Sequence, residues 1–131
     1  MSSASVSPSA VKAYVQERAQ DGLRGVAVYR GDVLDVTYVR GDLGDDLRER
    51  FADLHASVLA ACDDVSETDE QWGTLGLERA SIQIRDGAAM MHLKPSASAD
   101  VRSGVFVELE THVARSCAEF VADVRRVAFS E

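Results

Sequence analysis

The sequence predicts an α/β domain of the α+β type, a five-stranded antiparallel sheet with helices on both faces, in the order α-β-β-α-β-β-β-α. Three observations predict it. Two-residue turns, Gly31-Asp32 and Asp86-Gly87, each separate a pair of runs with alternating hydrophobicity. Two strand-like runs, around Val26-Ala27-Val28 and Val105-Phe106-Val107, are apolar on both sides, as central strands of a covered sheet are. Three other segments repeat their apolar residues at helical spacing.

Taken in order, Ser7-Pro8 opens the first helix, with proline where its missing N–H costs nothing. Val11, Tyr14, Val15 and Ala19 share one face, and Gly22 stops the helix. Leu23 to Arg30 and Val33 to Arg40 form the first hairpin. Its turn sets Tyr29 opposite Leu34 and Ala27 opposite Val36, and simple alternation puts Tyr38 on that same face. Gly22, Gly25, Gly31 and Gly41 read as turn residues. Asp42 is an N-cap for a second helix over about 43–62, whose stripe is Leu43, Leu47, Phe51, Leu54 and Val58.

Residues 63–76 form an acidic loop with five acids and the only tryptophan, Trp72. Leu77 to Arg85 and Ala88 to Lys94 make the second hairpin, pairing Ile82 with Met91, Ser81 with His92 and Gln83 with Met90. Val101 to Glu110 is the fifth strand. Thr111 caps the last helix, with Val113, Cys117, Phe120, Val121, Val124 and Ala128 inward.

Residues 8–131 read as one domain after a Ser-rich tail at 1–7. The longest apolar run, Val58 to Cys62, is far too short for a membrane span. No signal segment is evident, so a cytoplasmic protein is expected. The net charge is −8, from 22 acids and 14 bases, which disfavours nucleic acid and anionic lipid as partners. Only Lys12 and Lys94 are lysines; the other bases are arginines. Acid excess with scarce lysine points to a halophilic source, and a GC-rich genome would favour arginine as well.

Catalytic and metal patterns are missing. His55, His92 and His112 have no metal spacing, and Cys62 and Cys117 read as small buried hydrophobes. Ser81 lacks a base with an orienting acid. The acidic loop lacks the D-x-D-x-D-G ligand pattern of calcium loops. No cofactor and no metal are expected.

The element order, the two tight hairpins and the doubly apolar first and fifth strands resemble the roadblock/LC7 superfamily of the profilin-like group, over about Pro8 to Phe129. Val26 to Leu43, ending in Tyr38-Val39-Arg40-Gly41-Asp42-Leu43, is also similar to a group of haloarchaeal proteins. The roadblock resemblance implies a non-enzymatic homodimer built from the second helices and the third strands, serving as a platform for a protein partner such as a small Ras-like GTPase. Mapped onto this chain, the contact residues would be Arg48, Phe51, His55 and Leu59 on the second helix, with Arg79 and Ser81 on the third strand. The alternative is a small-molecule sensor of PAS/GAF or profilin-like type. Its pocket would involve Tyr38, Met90, His92 and Phe106.

Overall fold

A computed structural model describes residues 8–63, 79–94, 102–113 and 117–129, with side chains at all of these except 62–63 and 117–122. The acidic loop with Trp72, the Ser-rich loop at 95–100 and the side chains of Cys62, Cys117, Phe120 and Val121 lie outside the described residues.

The helices are α1 (Pro8–Ala19), α2 (Gly44–Asp63) and α3 (Cys117–Phe129), and a short 3-10 turn, Gln20–Gly22, follows α1. The strands are β1 (Leu23–Arg30), β2 (Val33–Val39), β3 (Ala80–Ile84), β4 (Ala89–Leu93) and β5 (Ser103–Leu109). They form one antiparallel sheet in the order β2-β1-β5-β4-β3. The α+β layout read from the sequence is the one found. β1 and β5, apolar on both sides, lie beside each other at the centre, and every residue of β5 is buried.

Two cores flank the sheet. On one face Val11 and Val15 of α1 and Val124, Ala128 and Phe129 of α3 pack on Leu23, Val26, Val28, Met91, Leu93, Val105 and Val107. On the other, Leu47 and Phe51 of α2 pack on Ala27, Tyr29 and Phe106. Burying an aliphatic or aromatic side chain of this size stabilises by about 1.5–3 kcal/mol. These two layers therefore outweigh any single surface ion pair.

The sequence-derived registers hold in both hairpins except at one point. A bulge makes Val26 face Tyr38 while Ala27 faces Val36, so Thr37 is the extra residue. One extra residue moves everything beyond it to the opposite face. Tyr38 therefore packs with the α1/α3 core, not with Ala27 and Tyr29 as alternation predicts. The Lys12 ammonium sits 5.8 Å from its ring centroid.

Two other expectations are corrected. Asp42 does not open the helix: α2 starts at Gly44, and the Asp42 carboxylate accepts two hydrogen bonds from Arg40. A charged guanidinium two residues away outcompetes the helix N–H groups for that carboxylate. Gly25 is not a turn residue but lies inside β1, beneath α2. A Cβ there would lie 2.5 Å from Leu47 Cδ2 and 3.1 Å from both Phe51 Cε2 and the Tyr38 carbonyl oxygen. The helix sits this close because the glycine leaves room. Gly25→Ala is expected to cost about 1–3 kcal/mol by overpacking. Urea denaturation checks this, and a variant as stable as the parent would show that α2 can shift freely.

Candidate functional site

The pleat lays two rows of residues across the α2 side of the sheet. One runs Ser81, His92, Phe106, Ala27, Val36, and the other runs Gln83, Met90, Glu108, Gly25, Val39. α2 lies over β1 and β2. The β4 and β3 ends of both rows extend beyond the strands it covers.

The first row is closed. Tyr29 Oη and His92 Nε2 are 2.7 Å apart and share a hydrogen bond. The Tyr29 ring stacks at 5.2 Å on Phe106, which stacks at 4.8 Å on His92. Gly104 lies opposite Tyr29, and a Cβ there would come within 2.6 Å of the tyrosine hydroxyl. Burial, with a further push from Lys94, lowers the His92 pKa to about 4, so the ring is neutral at pH 7. His55, from α2, lies against the Tyr29 ring, and its Nε2 is 2.8 Å from the Gly31 carbonyl oxygen. Since a carbonyl only accepts, His55 Nε2 carries the proton and donates.

The second row holds charge. Glu108, in the middle of the most buried strand, is 2% exposed. Arg50 of α2 donates to both of its oxygens, Nε to Oε1 at 2.7 Å and an Nη to Oε2 at 2.9 Å. Arg24 Nε donates to Oε2 at 2.8 Å. A second bulge, between Leu23 and Gly25, makes Arg24 the unpaired residue of β1, the position at which bulges re-aim side chains. Arg24 and Arg40 both donate to Glu110, and Arg40 continues to Asp42 and to the Asp21 carbonyl. Arg24 and then Arg40 lower the Glu110 pKa, and Arg40 lowers that of Asp42.

Beside this ladder lies a cleft of about 390 Å³, bounded by Arg24, Arg50, Leu54, Gln83, Arg85, Met90 and Glu108 and by the hairpin residues Gly87 to Ala89. It opens between α2 and the β3–β4 hairpin.

The residues singled out in the sequence divide unevenly. Met90 lines the cleft. His92 and Phe106 touch each other but are packed under Tyr29, and Tyr38 is on the opposite face, so the four do not form one pocket. Phe51 is fully buried and His55 is 7% exposed, which removes both from the surface that α2 offers a partner. Their spacing from Leu47 places them on the helix side that covers the sheet. Arg48 is exposed, and Leu59, Arg79 and Ser81 are half-buried.

Sequence reading missed Arg24, Arg50 and Glu108. An acid inside a doubly apolar strand was a usable signal, because such a group requires paired cations. Among the described residues no His/Cys/Asp/Glu group could hold a metal, and no helix is long and apolar enough to cross a membrane.

No curated protein matches the chain. A family model matches residues 9–129, nearly its whole length, and the chain belongs to the family described as domain of unknown function (DUF7522).

Proposed function

We propose that the protein is a non-enzymatic interaction module that forms a homodimer by pairing β3 of one copy with β3 of another. The dimer then presents the outer faces of its two α2 helices to a further protein. The observation that supports this is the edge of β3, which is open among the described residues. Among them β3 ends the sheet and is hydrogen-bonded only to β4. Arg85 N donates to the Ala88 carbonyl and Lys94 N to that of Arg79. The alternation of an antiparallel ladder then turns the backbone groups of Ala80, Ile82 and Ile84 away from β4. The strand holds no proline and its register is regular, and Ile84 is 58% exposed. An edge of that kind is a template for another strand.

The opposite edge differs. β2 carries the bulge at Thr37 and an exposed Asp35, two devices that discourage pairing. The roadblock/LC7 resemblance extends the reading to a Ras-like GTPase as the partner, which a pull-down at native salt addresses. Arg48 and Leu59 are the contact residues retained on α2.

The test is light scattering in high salt. The parent chain is expected to be a dimer. Ile84→Pro removes an outward N–H and is tolerated on an edge strand, so it should yield a folded monomer. A parent chain that is monomeric at all concentrations would overturn the reading.

A further inference from the structure

We propose that the cleft between α2 and the β3–β4 hairpin binds a small amphiphilic oxyanion: a carboxylate or phosphate head group carrying an apolar body. This goes beyond the dimer reading and does not depend on it.

The cleft volume, about 390 Å³, falls within the range of small-molecule sites, about 300–1,000 Å³. Its wall carries two chemistries. Arg24, Arg50, Arg85 and Gln83 supply donors, while Leu54 and Met90 supply apolar surface. The charged lining is three arginines against the single Glu108, a net of +2, in a chain whose net charge is −8. A local excess of cations in an otherwise acidic protein concentrates anions there.

Neutralising Glu108 does not account for this set. Arg24 and Arg50 together answer Glu108 and Glu110, whereas Arg85 donates to Gln83 Oε1 at 3.1 Å and is the cation that those two carboxylates do not account for. Glu108 behaves as a positioning residue. By accepting three N–H bonds it fixes two guanidinium planes at the cleft wall. Arg50 uses Nε and one Nη on Glu108, and Arg24 uses Nε and Nη1 on Glu108 and Glu110. Among the described residues each retains a terminal NH₂ group with no acceptor. Terminal NH₂ donors held in this way suit the oxygens of a carboxylate or phosphate, and the apolar wall fits an uncharged body. A neutral apolar ligand would strip water from those cations without replacing it.

The test follows backbone amide shifts of the full chain by NMR during titration with benzoate and with phenyl phosphate. Inorganic phosphate and benzyl alcohol, each half of the combination, are the controls. At least one amphiphilic anion should give saturable shifts concentrated at 50–54 and 83–90, at lower concentration than either control, and the tighter of the two identifies the head group. Arg85→Gln, on the exposed hairpin end, leaves the fold intact and should weaken binding about tenfold. Arg50→Gln, with its spectrum confirming the fold, should weaken it by a similar factor. Shifts scattered over the surface, no saturable binding by either anion, or unchanged affinity in Arg85→Gln would each overturn the proposal.

Discussion

Replacing Glu108 with glutamine is expected to destabilise the fold by about 3 kcal/mol, the usual consequence of breaking a buried ion pair from one side. The carboxylate is 2% exposed and holds Arg24 and Arg50 through three charged hydrogen bonds. Without its charge two guanidinium groups that repel each other remain at the same place. Arg24 keeps Glu110, and the Arg50 side chain is 42% exposed and can turn to water, which holds the cost below that of a fully enclosed pair. Arg50→Gln should therefore cost much less than Glu108→Gln, because Arg24 still neutralises the acid. Replacing the group with apolar residues, Arg24→Met, Arg50→Leu and Glu108→Leu together, should recover much of the loss. Chemical denaturation of the four chains reads all of this. If Glu108→Gln proves as stable as the parent, the ladder does not anchor α2.

The contrast between Glu108 and the hairpins shows what the sequence could carry. Hairpin registers are local. Gly31-Asp32 and Asp86-Gly87 fix which residues face each other a few positions away, and the structure reproduces Tyr29 with Leu34 and Ile82 with Met91. Element order and the central place of β1 and β5 follow from the same short-range periodicity. The site is non-local. Arg50 meets Glu108 across 58 residues and Arg24 across 84. The residue types could flag a buried acid that requires cations, but nothing in the spacing says which arginines answer it. The two bulges are the other gap. Neither Thr37 nor Arg24 carries a turn residue's signature, yet one sends Tyr38 to the far face and the other frees Arg24 from the β1–β5 pairing. Helical spacing located the stripe of α2. Including Phe51 and His55 in a docking surface failed because a stripe that covers a sheet is not available to a second protein.

His92 makes the second large effect one of pH. Burial, with Lys94 adding to it, lowers its pKa from 6.5 to about 4. Below pH 6.5 the unfolded chain takes up a proton there that the folded chain refuses. The unfolded state thus binds more protons between pH 6.5 and 4, and stability must fall as pH falls through that window. The loss is about 2 kcal/mol by pH 5 and about 3 kcal/mol below pH 4. The groups facing the ring are Tyr29, through its hydroxyl, Phe106, through its stacked ring, and Lys94. The carboxylates of Glu110 and Asp42, whose values are lowered by their arginines, lose their own contribution only under more acid conditions. Urea unfolding at pH 7 and pH 5, with His92→Gln beside the parent, isolates the histidine. His92→Gln keeps a partner for the Tyr29 hydroxyl but cannot take up a proton, so it should lose about 2 kcal/mol less than the parent between the two pH values, whatever its stability at pH 7. Equal losses in the two chains would mean that the ring protonates in place, and that the Tyr29–His92–Phe106 stack opens to water more readily than its burial implies.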